Sequence, residues 1–356
     1  MLFRQIFDSG SATYTYLLAA RLGAEALIID PVLEKVEQYL RLINELDLKL
    51  VKAIDTHMHA DHVSGIGALR DATRCVTVMG QESPTDVVSM RVRDGDWVEA
   101  GDLRLKALHT PGHTAESYSF VMDDRVFTGD ALFIRGTGRT DFQAGNSHEA
   151  YDSIFGKLLT LPDDTLIFPG HDYNGMTVST VAEERAFNPR LQVSSPEEYA
   201  KIMDNLALPS PKMMDVAVPT NRAMGLSQEK GVKEGWGLSA GDAIAEADGD
   251  GALLVDLREV SERRHDANIA GSVHAPYAAL DQYFRPGGLL QFESTTGGKR
   301  LIFFCSYGER SAMAVEAAKE AGLTDVASVV GGIKAWMEAG GPVIYDEGAN
   351  QDGGGS

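Results

Sequence analysis

Cysteine is scarce in this chain. Its 356 residues include two cysteines, Cys75 and Cys305, which lie far apart in the sequence. A disulfide-stapled secreted domain needs more cysteines at closer, paired spacings, so that class of protein is excluded. We therefore expect a reducing compartment and predict a cytoplasmic protein.

Basic side chains and long apolar runs are also in short supply. The chain has 32 Lys and Arg against 52 Asp and Glu, a formal net charge of -20. This negative charge repels nucleic-acid phosphates and anionic lipid headgroups. The first thirty residues contain no uncharged apolar run typical of a secretory signal or a membrane span. The sequence thus predicts no nucleic-acid partner and no membrane partner.

The length of the chain and its pattern of strands and helices indicate two α/β domains, because one core rarely serves more than about 300 residues. Short β-rich runs alternate with helical patterns up to about residue 200, and several of these runs end in His, Asp or Gly. A proline-containing stretch without periodicity reads as an extended linker, and a second α/β pattern follows it. The predicted parts are a first domain over 1–207, a linker over 208–236, a second domain over 237–345 and a disordered tail over 346–356.

A cluster of histidines and carboxylates follows the predicted strand LKLVKAI. Residues 55–62 read DTHMHADH, with three histidines and two aspartates. Side chains at positions i and i+2 of an extended segment point the same way, so His57 and His59 share a face. Solvation alone does not explain this density of histidine, and the pattern is typical of a metal site.

Three further potential ligands lie at strand ends beside glycines. They are His113 in TPGHT, Asp130 in FTGD and His171 in FPGHDY. Glycine allows a close approach of backbone and side chain at such a turn, and loops at strand ends commonly present functional groups. Each would be weak evidence alone, but their order after the histidine cluster predicts convergence on one metal centre.

The ligand types leave two metal arrangements open. The first uses seven groups for a metal pair: His57, His59 and His113 on one ion, Asp61, His62 and His171 on the other, and Asp130 as a bridge. That arrangement suits hydrolysis by a bridging hydroxide. The second uses only His57, His113 and Asp130, a two-histidine, one-carboxylate set with open positions that suits non-haem Fe(II) and O₂.

The order HxHxDH, His, Asp, His resembles the metallo-β-lactamase superfamily over roughly residues 1–191. That resemblance implies an αββα sandwich with the metal at one edge. The motifs HMHADH, GTGRTDFQAG and GHDYNGMTVSTVAEERAFNPRL resemble the persulfide dioxygenases, also called sulfur dioxygenases or ethylmalonic encephalopathy proteins. Glyoxalase II usually has an aromatic residue in place of Ala60 and a longer helical substrate domain, which we do not find here. The resemblance to the dioxygenases implies one Fe(II) per chain on His57, His113 and Asp130, surrounded by His59, Asp61, His62 and His171.

The same resemblance implies glutathione persulfide and O₂ as substrates. Arginine favours carboxylates because its planar fork bonds both oxygens. We predict that Arg139 holds glutathione, with Asp141 toward its amine or toward Arg139, Tyr173 near the thiol end and Arg190 as a helper. Structural salt bridges are an equally open interpretation of these residues. His171 is assigned to the catalytic group as a hydrogen-bonding partner of oxygen, with a structural role as the alternative.

A second site is predicted around Cys305, in the stretch FFCSYGERS between an apolar strand and a helix. Backbone N–H groups of such a loop, together with the start of the helix, stabilise an anion at its centre. We therefore expect a reactive thiolate. The predicted sulfur-binding loop is Ser306, Tyr307, Gly308 and Glu309. Cys75 is typical of an inert core residue.

The segments VDLREVSERRHDANIAGSVHAPY and VVGGIKAWMEAGGPV resemble the rhodanese pattern over about 237–343. Asn268 stands where that family usually has histidine, and Ser272 where alanine is common. The resemblance implies an α/β domain with a central parallel sheet and a cofactor-free sulfurtransferase. Cys305 would carry the sulfur, and Arg310 would hold the anionic donor or fix the loop. Related phosphatases separate their Cys and Arg by five residues; the four-residue separation here suits sulfane sulfur better than phosphate.

Together the resemblances imply a fusion of a persulfide dioxygenase and a rhodanese. The first domain would convert glutathione persulfide, O₂ and water to sulfite and glutathione, and the second would exchange sulfane sulfur between thiosulfate and glutathione. Two alternatives stay open: a dizinc glyoxalase II-like thioester hydrolase with a regulatory rhodanese module, and a rhodanese half that only binds. The sequence fixes neither the direction of transfer nor the oligomeric state, and a homo-oligomer is compatible with it.

Overall fold

The computed structural model describes residues 1–206, 208–209 and 213–345, which form two compact units. The first unit contains Met1–Asp86 and Met90–Met224, and the second contains Val87–Ser89 and the chain from Gly225 onward. The predicted tail over 346–356 lies outside the described residues, as do parts of the predicted linker. The units divide between Met224 and Gly225, within the predicted linker, and the domain limits given above stay a prediction.

The first unit contains two six-stranded sheets. One sheet runs in sequence order, antiparallel from β1 to β3 and parallel from β3 to β6: β1 (Leu2–Asp8), β2 (Thr13–Ala19), β3 (Glu25–Ile29), β4 (Lys49–Ile54), β5 (Val76–Gly80) and β6 (Met90–Val92). The other has the order β12-β11-β10-β9-β8-β7, with one parallel pair, β10 with β11: β7 (Trp97–Ala100), β8 (Leu103–His109), β9 (Tyr118–Val121), β10 (Arg125–Gly129), β11 (Leu166–Pro169) and β12 (Ser179–Thr180).

The two sheets pack face to face through aromatic side chains. Phe3 of β1 lies 4.8 Å from Phe168 of β11, and Tyr16 of β2 lies 5.0 Å from Phe127 of β10, measured between ring centroids. Such tilted pairs stabilise a core beyond the area that they bury. The expected αββα sandwich is confirmed.

The described residues of the first unit also form the helices α1 (Val36–Glu45), α2 (Ile66–Thr73), α3 (Ser147–Gly156), α4 (Val181–Phe187), α5 (Pro196–Asp204) and α6 (Met214–Arg222). Side-chain oxygens cap α3, α4 and α5 at Asn146, Thr180 and Ser195. Helix α3 and the following segments bury Ile154, Val181 and Tyr199 against β10 and β11. This layer supports the loops that end β10 and β11.

The second unit is built on a five-stranded sheet of order β13-β17-β16-β14-β15, parallel throughout, as expected. Its strands are β13 (Gly237–Leu238), β14 (Ala252–Asp256), β15 (Val273–His274), β16 (Arg300–Phe304) and β17 (Val326–Val329). Its helices are α7 (Glu229–Glu234), α8 (Ala240–Ala247), α9 (Val260–His265), α10 (Leu280–Phe284), α11 (Leu289–Thr295), α12 (Glu309–Glu320) and α13 (Gly332–Glu338). Separate apolar clusters form around Phe303 and Phe304, so β16 is buried on both faces.

The stretch interpreted as an extended linker contains two helices, α6 and α7, and that part of the prediction is wrong. Its prolines suggested a chain without regular structure, because proline inside a helix removes a hydrogen bond and costs about 3 kcal/mol. Pro219 nevertheless lies within α6. Ala217 and Asn221, which lie one turn apart on this helix, are both buried.

No helix among the described residues has the length and apolar composition needed to cross a bilayer.

Candidate metal centre and candidate thiol site

Three predicted ligands converge at one edge of the first unit. Ligand atoms of His57, His113 and Asp130 all lie within 4.8 Å of one another. The Nε2 atoms of His57 and His113 are 3.9 and 3.5 Å from Oδ2 of Asp130. His57 follows β4, His113 follows β8, and Asp130 directly follows β10, so strand ends of both sheets contribute.

Hydrogen bonds leave the facing nitrogen of each histidine free. His113 donates from Nδ1 to the backbone oxygen of Arg139 at 2.8 Å. His57 donates from Nδ1 to the Thr56 hydroxyl at 3.0 Å, and that hydroxyl donates to Asp30 at 2.9 Å. Bonds of this kind fix the tautomer and orientation of metal-binding histidines. The Nε2 lone pairs are therefore directed to the space beside Asp130.

The charges in this space suit a cation. Burial, reinforced by His59, holds the pKa of His57 well below its usual value, so the ring is neutral. Burial alone would raise the pKa of Asp130, but His171, His57 and His113 lower it, so the carboxylate is ionised. Two imidazoles and one carboxylate are a fitting donor set for a divalent metal.

His171 joins two carboxylates. It donates from Nδ1 to Asp130 at 2.7 Å and from Nε2 to Asp61 at 2.8 Å. Burial opposes the charged form, but the two carboxylates raise the pKa of His171 well above its usual value. The two bonds occupy both ring nitrogens of His171 and orient Asp130.

A second set of potential ligand atoms lies beside the first. Those of His59, Asp61 and His62 also fall within 4.8 Å of one another. His59 donates from Nε2 to Asp30 at 3.2 Å, and His62 from Nδ1 to Asp61 at 3.0 Å. The other nitrogens, Nδ1 of His59 and Nε2 of His62, are buried without a hydrogen-bond partner in the structure. These two nitrogens are thus available to bind a water molecule or a second ion.

Glycines make the approach to Asp130 possible. A Cβ on Gly170 would lie 2.6 Å from Oδ1 of Asp130. A Cβ on Gly138 would lie 2.0 Å from the backbone oxygen of Asp130 and 3.0 Å from Nδ1 of His113. Any side chain at these two positions would therefore displace the ligands.

Arg139, predicted to hold glutathione, already has partners for its side chain. Its guanidinium donates to both oxygens of Asp141 at 2.7 and 2.8 Å, and to the backbone oxygens of Pro209 and Leu208 at 2.6 and 3.2 Å. It also lies 4.0 Å from the centre of the Phe142 ring. Asp141 is thus directed toward Arg139, the second of its two predicted orientations.

The two other predicted glutathione contacts, Tyr173 and Arg190, have partners of their own. Tyr173 is 70% exposed, and its ring lies parallel to that of His171 at 6.0 Å between centroids. Arg190 bonds the backbone oxygen of Thr137 and, at 3.2 Å, its hydroxyl. Tyr173 is therefore next to the metal centre, while Arg190 braces the loop after β10. Glutathione binding by these residues stays a prediction.

Sequence reasoning missed two carboxylates that support the metal centre. Asp30, at the end of β3, accepts from the Thr56 backbone N–H at 2.7 Å as well as from the Thr56 hydroxyl and His59. Glu116, buried in the turn after His113, accepts from the Met58 N–H at 3.0 Å. The strand-end position of Asp30 in EALIID was a usable signal, whereas nothing in the sequence pattern marks Glu116.

Cys305 follows β16 directly and is fully buried. Its Sγ accepts from the N–H of Gly308 at 3.1 Å, and Gly308 has a φ of 92° that favours glycine. The Ser311 hydroxyl donates to the Gly308 oxygen at 2.9 Å. Helix α12 begins at Glu309, so the loop is even shorter than predicted.

Arg310 fixes the thiol loop. It is fully buried and forms two parallel bonds of 2.6 Å with Glu262, which also accepts from the Ser306 hydroxyl at 2.7 Å. Arg258 is likewise buried, and it pairs with Asp256 and with Asn268. Of the two roles predicted for Arg310, this geometry matches loop fixing. Glu262 was missed, although it forms a capping box with Glu259.

Comparisons with known proteins place both units. The metallo-beta-lactamase superfamily model matches residues 9–87 and 87–171, and the rhodanese-like domain model matches residues 239–339. The "Persulfide dioxygenase ETHE1, mitochondrial" of Mus musculus is 48% identical over 229 residues, which cover 64% of this chain and 89% of that protein.

Solved structures agree. ETHE1 from Myxococcus xanthus is 52% identical with a TM-score of 0.61, covering 63% of this chain and 99% of that one. A metallo-beta-lactamase from Staphylococcus aureus subsp. aureus COL covers 93% of this chain and 98% of its own at 24% identity and a TM-score of 0.59, which shows a shared fold alone. The chain therefore belongs to the ETHE1 family of the metallo-β-lactamase superfamily and carries a rhodanese-like domain after it.

Proposed function

We propose that the first unit is an iron-dependent persulfide dioxygenase and the second a thiosulfate sulfurtransferase. The first reaction converts glutathione persulfide, O₂ and water to glutathione and sulfite. The outer sulfur of the persulfide is oxidised, O₂ is reduced, and water supplies the third oxygen atom of sulfite. The observation that carries this proposal is that the Nε2 atoms of His57 and His113 face the carboxylate of Asp130, while the Nδ1 atom of each ring is hydrogen-bonded elsewhere.

The residues at the metal centre have different roles. When bound, Fe(II) supplies redox chemistry with O₂ at positions that a two-histidine, one-carboxylate set leaves open. His57, His113 and Asp130 hold the ion, and His171 keeps Asp130 oriented by its bond to Oδ1. The His171 ring contacts the exposed Tyr173, which we assign to the entry side of the substrate. Glutathione would displace the backbone contacts of Arg139 in order to bind its guanidinium.

In the second unit, Cys305 is the proposed sulfur carrier. Its thiolate attacks the outer sulfur of thiosulfate, an S–S bond forms on Cys305, and sulfite leaves with the electrons of the broken bond. Glutathione then takes the sulfur as glutathione persulfide and regenerates Cys305. The Gly308 N–H bonded to Sγ stabilises the sulfur as an anion. No cofactor is required, and the loop of 306–309 surrounds the transferred sulfur.

A dizinc thioester hydrolase is the second candidate. The observation that favours it is the set His59, Asp61 and His62, with two unpartnered buried nitrogens. Against it, Asp61 accepts from His171, from His62 and, at 3.3 Å, from Thr13. Binding of a second ion would have to replace those bonds.

Metal analysis combined with O₂ uptake tests the proposal. We expect the purified chain to hold about one iron, to consume O₂ with glutathione persulfide and to release sulfite. Lactoylglutathione hydrolysis serves as the parallel assay for the hydrolase. Two zinc ions per chain, no O₂ uptake and rapid thioester cleavage would instead establish the second candidate.

The proposal keeps a reducing, cytoplasmic location, with which two buried cysteines outside any disulfide are compatible. Its small-molecule partners are glutathione persulfide, glutathione, thiosulfate, sulfite and O₂.

A further inference from the structure

Asn221 and Gln228 lie between the regions matched by the two family models, after residue 171 and before residue 239. We propose that Asn221 is a positioning residue for the metal-binding loop and that Gln228 is a positioning residue for the thiol loop. Both assignments rest on the proposed function. Each is carried by its own contacts, since Asn221 belongs to the first unit and Gln228 to the second.

The side chain of Asn221 holds the backbone of the loop that carries the histidine cluster. Its side chain is 1% exposed and makes three hydrogen bonds to the loop backbone. Nδ2 donates to the backbone oxygens of His59 and His62, both at 3.0 Å, and Oδ1 accepts from the Ser64 N–H at 2.8 Å. A buried backbone group without a partner is costly, so these bonds hold a non-repetitive segment in one conformation.

The clamped segment carries Asp61, which bonds the residue that orients Asp130. Asp61 lies between the two carbonyls that Asn221 binds, and its carboxylate accepts from His171. His171 in turn donates to Asp130. A shift of the loop backbone would therefore reach the metal centre through Asp61 and His171. Asn221 touches no ligand atom, so its effect is one of position.

Asn221→Asp is the sharpest variant, because it keeps the size and the acceptor of the side chain. In this variant a carboxylate oxygen replaces the amide nitrogen that donates to the backbone oxygens of His59 and His62, so both hydrogen bonds are lost. In the metal-free protein we expect faster hydrogen exchange of the amides in 59–64 and little change elsewhere. Iron is expected to dissociate to a chelator about tenfold faster or more, the range found for groups that orient metal ligands.

Asn205→Asp is the matched control, because Asn205 is exposed at the end of α5 and its side chain bonds the backbone oxygen of Lys201 on the same helix. Unchanged exchange over 59–64 in the Asn221 variant would overturn the assignment. The assignment would also be overturned if both this variant and Asn221→Ala lost protection from hydrogen exchange across the whole first unit. Asn221 would then support the fold of the unit and not this loop in particular. Since the exchange readout needs no metal, it stands even if the iron proposal fails.

Gln228 acts on the peptide group that faces the sulfur. Its Nε2 donates to the backbone oxygen of Tyr307 at 3.0 Å, and its Oε1 accepts from the Gly331 N–H at 2.9 Å. The Tyr307 oxygen and the Gly308 N–H belong to one planar peptide, and that N–H donates to Cys305 at 3.1 Å. Holding the oxygen therefore directs the N–H at Sγ.

The atoms around this peptide group are closely packed. A Cβ on Gly308 would lie 2.1 Å from Oε1 of Gln228, so the amide lies directly against the loop. A Cβ on Gly332 would lie 2.2 Å from the backbone oxygen of Cys305. Gln228 thus joins the thiol loop to the glycine turn at the start of α13.

Two variants separate the two ends of the amide. Gln228→Met removes both bonds, and Gln228→Glu keeps an acceptor for Gly331 but loses the donor to Tyr307. We expect both to slow formation of the Cys305 persulfide from thiosulfate by about tenfold or more, with KM nearly unchanged, since one oriented N–H donor contributes a factor of about 10² to 10³ at an anionic centre. The rate is followed as a mass gain of one sulfur on the Cys305 peptide.

Gln282→Met, at an exposed position on α10, is the control for this pair. A wild-type rate in Gln228→Glu would overturn the assignment, because the lost donor is the bond that orients the peptide. Hydrogen exchange of the Gly308 amide provides a second readout, expected to accelerate in both variants. If wild-type Cys305 forms no persulfide, the proposed transferase fails, whereas the exchange result still decides the role of Gln228.

Discussion

Replacement of His113 by alanine is expected to abolish O₂ consumption with glutathione persulfide while sulfur transfer continues. The variant removes one of three protein ligands at a centre where Nε2 of His113 lies 3.5 Å from Asp130. Loss of a group that only orients a ligand already costs about 10- to 100-fold, so loss of a ligand is expected to exceed the upper value. O₂ electrode traces and iron content, measured on the same preparation, check both effects.

Sulfur transfer should survive this substitution because Cys305 belongs to the other compact unit. His148→Ala is the matched control, since His148 is exposed near the start of α3. Loss of both activities in the His113 variant, with an unchanged thermal unfolding midpoint, would indicate a single shared site. Full O₂ uptake would remove His113 from the ligand set.

The metal centre could be predicted because its ligands carry local signals. His57, His113 and Asp130 each follow an apolar strand and lie near a glycine or within a histidine cluster, and strand ends meet at the edge of a sheet. The structure brings their ligand atoms within 4.8 Å. Cys305 has the same kind of signal, at the end of the buried strand β16 and before a glycine turn.

The supporting contacts could not be predicted, because they join residues far apart in the chain. Asn221 bonds carbonyls some 160 residues earlier, and Gln228 bonds a carbonyl 79 residues later. A side chain that bonds backbone leaves no periodic pattern, and the prolines near Asn221 pointed away from a helix. The pairing of Arg139 with two backbone oxygens of a later segment was hidden for the same reason.

Short strands were also difficult to predict from the sequence. β12 and β13 have two residues each and β6 has three, too few for an alternating pattern to emerge. They exist because a neighbouring strand supplies the hydrogen bonds, as β11 does for β12. Their absence from the prediction did not affect the fold class, which follows from the longer central strands.

Cys305→Ser is expected to abolish transfer of sulfane sulfur from thiosulfate to glutathione, by more than about a thousandfold, while O₂ uptake with supplied glutathione persulfide stays near the wild-type rate. A serine hydroxyl is a far poorer nucleophile than a thiolate at neutral pH and cannot carry the S–S bond that the transfer requires. Serine is also close in size, so the bond network of Arg310, Glu262 and Ser306 should persist.

The measurement is release of sulfite from thiosulfate in the presence of glutathione, with Cys75→Ala as the control. Cys75 is the other buried cysteine, and it lies in the first unit, away from the thiol loop in the chain. Full transfer in Cys305→Ser would assign the nucleophile to another group. Oxidation of supplied persulfide in the same variant then separates the two reactions, because a chain that lacks the transferase thiol but still consumes O₂ must hold two independent centres for sulfane sulfur.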